Sequence, residues 1–323
     1  MSKFFVLWIL WSLFGAALVF FAADSKNTTW TTVGEVVSLA PLIGFLLALG
    51  SEKTSGFFHA WIRNNKNSLY YLVAGMAALF AVPGMLTWTF NPYNTVIFAA
   101  MVAAVFGSLQ QLRSGEFMLS WTDVALWILL WIPFDLRWST DMQPHVGYAW
   151  WSIAISLVAV IGWRGYREAG IGFNLVPKWK DLYIALIALF AIMAVVIPPG
   201  LLTGFLKFAI PSTFNITKQA TGFIGLFLTV AVPEELFFRG ILYRGLLKVS
   251  SKKWVPMVVS SLAFGLMHWN NIGGLDMQIT YVSLAAIAGF GYAWAYKRSG
   301  NNLLAAILTH TLVDWTWKLV LAG

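Results

Sequence analysis

Apolar runs broken by short polar or basic stretches dominate this chain, and each run has roughly the twenty residues that one helix needs to cross a bilayer. Read in order they place about eleven spans. These lie near 4–22, 33–50, 69–89, 94–112, 117–133, 146–163, 182–199, 221–246, 254–269, 278–296 and 303–320. Pro83, Pro92, Asp123 and Pro133 blur the edges of the third to sixth. The pattern predicts an all-α, polytopic transmembrane helical bundle.

Composition supports that prediction independently. With 59% hydrophobic residues, 11% charged residues and a mean hydropathy of +0.74, the 323-residue chain has too little polar surface for a soluble globule. The net charge of +8 suggests nucleic acid only until its distribution is read. With the N-terminus cytoplasmic, about fifteen Lys and Arg fall in cytoplasmic segments and about five outside, which is the asymmetry of the positive-inside rule. The basic balance therefore reads as topology and lipid contact in the cell membrane, with no nucleic-acid partner. The first run follows Lys3 and is expected to be a retained span: it exceeds a usual signal-peptide core, and Phe21-Ala22-Ala23 lacks a clean small-x-small cleavage site. The absence of cysteine removes disulfides, thiol nucleophiles and Cys-ligated metals from consideration.

Chemistry is unevenly spread. Residues 1–169 hold spans with scattered interfacial charges and read as a transmembrane module of unassigned role. A basic connector from Arg164 to Asp181, with Gly170, Gly172 and Pro177, suits a linker or a helix on the membrane surface. Trp150, Trp151, Trp163, Trp254 and Trp317 read as interfacial anchors. His59 and His145 read as solvent-exposed loop residues. The ionisable residues of interest all fall in the second half.

There, Pro233-Glu234-Glu235-Leu236-Phe237-Phe238-Arg239 interrupts an otherwise lipid-compatible run. A charge at bilayer depth costs on the order of 3 kcal/mol on insertion scales, so such groups persist with partners or with a function. Glu235 and Arg239 are four apart and share a helical face, in the favoured acid-before-base order. Glu234 points about 100° away and is left uncommitted by that pair. Pro233 removes a backbone donor and disturbs the helix locally. Phe264 and His268 in the next span, and His310 and Asp314 in the last, are also four apart, and each pair presents one face. Counting about 1.5 Å per residue from the assigned cytoplasmic ends puts Glu234, His268 and His310 roughly 10 to 20 Å into the bilayer, so they can meet in one cavity. Ala285, Gly289 and Ala293 form a small-residue row that reads as close helix packing around it.

Glu-Glu-x-x-x-Arg at Glu234 to Arg239, Phe-x-x-x-His at Phe264 to His268 and His-x-x-x-Asp at His310 to Asp314, in that order on successive spans, resemble the CPBP intramembrane proteases. That family includes the type II CAAX prenyl endopeptidases (Ras-converting enzyme) and bacteriocin-processing or self-immunity proteins. The resemblance covers about residues 170–323. It implies an intramembrane endopeptidase acting on a peptide or membrane-protein substrate, prenylated or not. Glu234 and His268 would activate water, and His310 and Asp314 would stabilise the oxyanion. Glu235, Arg239 and Phe264 would orient these groups.

Asp at 314 departs from a purely donating helper, because an ionised carboxylate repels an oxyanion. It must be neutral, orient His310, or bind metal. Glu234, His268, His310 and Asp314 have ligand types suited to zinc, although no His-Glu-x-x-His is present, so metal-free and zinc-assisted chemistry both stay open. Buried Glu, His and Asp on neighbouring spans also suit a proton-coupled transporter, against which stands the lack of a visible inverted repeat. A catalytically silent membrane scaffold is the third class.

Overall fold

A computed structural model describes residues 2–22, 29–112, 117–136, 147–209 and 215–322. They form an all-α assembly of membrane helices in two compact units, Met1–Gly170 and Ile171–Gly323.

The first unit contains α1 (Ser2–Ala22), α2 (Thr29–Leu49), α3 (Glu52–Asn64), α4 (Ser68–Leu86), α5 (Pro92–Gln111), α6 (Trp121–Asp135) and α7 (Gly147–Ala159), the last continuing as π-helical turns through Val160–Tyr166. Helix α3 is the amphipathic one. The Ser51 side chain accepts from the Thr54 N–H at its start, Glu52 and Arg63 complement its dipole, and Phe58 and Ile62 face inward. Asn91 caps α5, with Pro92 in the first turn where a missing N–H costs nothing.

Two expectations fail here for physical reasons. Trp150, Trp151 and Trp163 are not interfacial anchors: they are 0–1% exposed and stack into the unit's interior, with Phe98 5.3 Å from Trp150 and 5.6 Å from Trp151. The Trp163 indole N–H donates to buried Asp123 at 3.0 Å. Trp254, 58% exposed, does stand at the surface. The basic connector takes the linker form of its two expected alternatives, without a surface helix. Helical structure runs to Tyr166 and then stops, with Glu168 at φ 58° and Gly172 at φ 72°, and residues 168–178 are irregular until α8 begins. His59 lies on α3 and is half-buried, and not in a loop; His145 falls outside the described residues.

The second unit contains α8 (Trp179–Leu202), the long α9 (Ile216–Val249), α10 (Val255–Leu266), α11 (Leu275–Arg298) and α12 (Leu303–Val320). Strand β1 (Lys207–Phe208) pairs antiparallel with β2 (Leu321–Ala322), Lys207 opposite Ala322. Among the described residues seven helices are long and apolar enough to cross a membrane: residues 3–22, 32–49, 68–86, 92–111, 179–202, 216–249 and 275–298. The runs at 117–133, 146–163, 254–269 and 303–320 also become helical but fall outside that set. The shortest, α10, has 12 residues, about 18 Å, and ends before His268.

Candidate active site

Backbone geometry in α9 changes at the acidic motif. Ile216–Leu226 and Arg244–Val249 are α-helical, and between them only Val232–Glu235 keeps α-helical bonding, flanked by π-helical turns over Phe227–Ala231 and Leu236–Tyr243. Pro233 has no N–H to give to the ladder, and single π turns are concentrated at functional sites. The result presents Glu234 and Glu235 toward α12, with Arg239 on the same inner side.

Arg239 and Glu235 are both fully buried, their Nη1 and Oε1 atoms 2.9 Å apart. The predicted intrahelical pair is therefore formed, but it is part of a larger arrangement. The same Glu235 Oε1 lies 2.9 Å from His310 Nδ1 on α12, a contact between residues 75 positions apart. Arg239 Nη2 also donates to the Gly289 carbonyl on α11 at 2.8 Å. Its guanidinium lies 4.6 Å from the Phe264 ring centre and 5.3 Å from that of Tyr292. Arg239 thus holds Glu235, and Glu235 in turn fixes the Nδ1 side of His310.

The other face of His310 looks onto two more carboxylates. Its Nε2 is 3.7 Å from Glu234 Oε2 and 3.5 Å from Asp314 Oδ2. These separations exceed a good direct hydrogen bond and match a space that a reacting oxygen can share. Glu234 Oε2 is buried and has no hydrogen-bond partner among the described residues. Glu234 is indeed left free by the Glu235–Arg239 pair, and what it faces is His310.

His268 sits just past the end of α10. Its Nδ1 is 2.8 Å from the Phe264 carbonyl oxygen, which accepts if Nδ1 carries the proton and leaves Nε2 as the free ring nitrogen. Phe264 connects the two histidines, its ring 4.8 Å from His268 and 5.5 Å from His310. All seven residues singled out from the sequence therefore converge within one region of the second unit. Two others were missed: Tyr292, whose ring stacks on His310 at 4.5 Å and 13°, and Tyr281, edge-on to His268 at 5.1 Å; Gly289, expected as a packing position, is also the carbonyl acceptor for Arg239. Tyr292 follows Gly289 by three residues on the small-residue face, so helical spacing contained a signal for it. Among the described residues, no three His, Asp or Glu side chains are grouped as ligands for a metal ion.

Residues 216–316 match the family model described as type II CAAX prenyl endopeptidase, Rce1-like. Over these residues, about a third of the chain, the sequence is similar to that family. The Rce1-like segment contains all three motifs and begins with the first residue of α9. No curated protein and no solved structure matches the chain. The apolar helices and this match make the chain an integral multi-pass membrane protein, and the family that the segment resembles is one of intramembrane CAAX proteases, whose members act on peptide or protein substrates.

Proposed function

We propose that this protein hydrolyses a peptide bond within the membrane, using Glu234 as general base and His310 as the group that receives the developing oxyanion. The observation that supports it best is His310 held by Glu235 at Nδ1 while Nε2 faces both Glu234 and Asp314. An imidazole fixed on one nitrogen and open on the other is the arrangement by which a third group orients a catalytic histidine.

In this reading a water lies between Glu234 and His268. Glu234 takes its proton as the water oxygen bonds to the scissile carbonyl carbon, and negative charge moves onto the carbonyl oxygen beside His310. Breaking the C–N bond then returns the proton from Glu234 to the leaving amine. His268, with Nε2 free, shares and orients the water. Asp314 accepts from His310 and holds it charged while the oxyanion forms, which removes the apparent conflict of placing a carboxylate here. The substrate is a peptide or membrane-protein segment, prenylated or not, and the N-terminus lies in the cytoplasm of a cell whose plasma membrane holds the chain. No step requires a metal.

Replacing each glutamate separately tests the assignment. Glu234→Gln should abolish cleavage, a loss of at least about a hundredfold for a general base, with melting temperature in detergent nearly unchanged. Glu235→Gln should lower that melting temperature as well, because a buried pair that loses one partner costs on the order of 3 kcal/mol. A well-folded Glu234→Gln protein that cleaves at the wild-type rate would sink the reading.

A further inference from the structure

We propose that the candidate site opens at the end of the second unit opposite its basic end, and that its substrate is a peptide segment reaching it from the non-cytoplasmic side of the membrane. The inference rests on the reading of the site above and adds the direction of access.

Packing defines the two ends without reference to a membrane. Ile184 and Ala188 near the start of α8, Ala295 near the end of α11 and Ala305 near the start of α12 form one buried cluster. Beside it, Asn302 Nδ2 donates to Asp181 Oδ2 at 2.9 Å, and the Tyr243 ring on α9 meets Tyr296 on α11 at 5.4 Å. The start of α8, the later turns of α9, the end of α11 and the start of α12 therefore share one end. That end carries Lys178 and Lys180 before and within the first turn of α8, Lys252 and Lys253 after α9, and Lys297 and Arg298 closing α11. At the other end Phe205, Leu206, Leu284 and Leu321 form a second cluster, with Tyr281 and Trp317 packed on it. Only Lys207, Lys218 and Lys318 lie toward it, together with Asp276.

Exposure of the site rises steadily from the first end to the second. Arg239 and Glu235 are 0% exposed, His310 is 2% and Glu234 is 8%. The Asp314 side chain reaches 25%, and Trp269, Asn270 and Asn271 beyond His268 are exposed. His268 itself touches Tyr281, which belongs to the second cluster. The charged groups are thus sealed from the basic end and reached from the other. Lys and Arg in short loops are retained in the cytoplasm, so the basic end faces the cytoplasm and the mouth faces away from it. The rim offers neutral amides and aromatic faces, Asn270, Asn271, Trp269, Tyr281 and Trp317, which suit the backbone and apolar side chains of an extended peptide.

The chain has no cysteine, so single introduced thiols report access directly. Asn270→Cys and Lys252→Cys, both at exposed positions outside the catalytic groups, should be treated with a membrane-impermeant maleimide in intact cells and again after permeabilisation. Asn270→Cys is expected to label in intact cells and Lys252→Cys only after permeabilisation. Labelling of Asn270→Cys only after permeabilisation, labelling of both from the same side, or no labelling of Asn270→Cys in either state would each overturn the proposal. The readout needs no proteolysis, so an inactive enzyme with this labelling pattern would count against the peptidase reading alone.

Discussion

His310 has three carboxylate neighbours, and only one of them is committed to structure. Glu235 is already engaged by Arg239 at 2.9 Å, whereas Glu234 and Asp314 approach Nε2 at 3.7 and 3.5 Å without closing on it. Asp314 is where the metal-free and metal-assisted routes part. As an acceptor that keeps His310 charged, it is partly replaceable by an amide oxygen, so Asp314→Asn should retain folding and lose about tenfold to a hundredfold in turnover. Removal of a supporting hydrogen bond has that effect. As a first-shell ligand it would not be replaceable, and metal content would fall together with activity. Elemental analysis of the purified wild type and variant decides: a stoichiometric metal that Asp314→Asn loses would defeat the acceptor role. The residues that make up this choice were legible in sequence because each motif sets its pair four residues apart in an apolar run. The Glu235–His310 contact was not, since it joins positions 75 apart that no local periodicity relates.

Helices α10 and α11 bring Phe264 and Gly289 against Arg239, and their separation is set by glycine. A Cβ built on Gly265 would lie 2.6 Å from the Val282 carbonyl oxygen and 2.7 Å from the Ala286 Cβ. One built on Gly289 would lie 3.1 Å from Arg239 Nη2, 3.2 Å from the Phe264 ring and 3.3 Å from the Ser261 Cα. Backbone atoms cannot yield as a long side chain can. Gly265→Ala should therefore destabilise the second unit by at least about 1–3 kcal/mol, the usual range for overpacking, and by more than Gly289→Ala. Thermal melts in one detergent compare the two, and a milder effect of Gly265→Ala would mean that the helices are not in close contact there. The small-residue row on α11 announced such packing, with Gly289 and Ala293 in it, although Gly265 on the facing helix had not been singled out. The π-helical turns of α9 left no trace in hydropathy, because a shift from one backbone acceptor to the next changes no side chain. Hydropathy also misplaced Trp150, Trp151 and Trp163. A protein interior and lipid are similarly apolar, so the same letters serve a core and an anchor.

Stability of the whole chain in detergent carries a pH dependence that originates far from the catalytic groups in sequence, at His59. Its Nε2 is buried without a hydrogen-bond partner among the described residues, its ring packs near Gly165, and α3 holds it beside Arg164. Burial first, and the Arg164 charge second, push its pKa from 6.5 down to about 4, with Glu168 opposing the shift. Between those two values an unfolded chain binds a proton at His59 that the folded chain refuses. Stability therefore increases with pH across that window, and is lost as pH falls from about 6.5 toward 4. Above the window both states hold a neutral ring and the dependence vanishes. His59→Gln removes the titrating group while keeping an amide of similar size, so the variant should lose less melting temperature than the wild type between pH 6.5 and 4 while matching its slope above pH 7. Melting curves at matched ionic strength across that range test this. The other titrating groups are common to both proteins and cancel in the difference, and equal slopes in the acidic window would show that His59 is protonated at no cost to the fold.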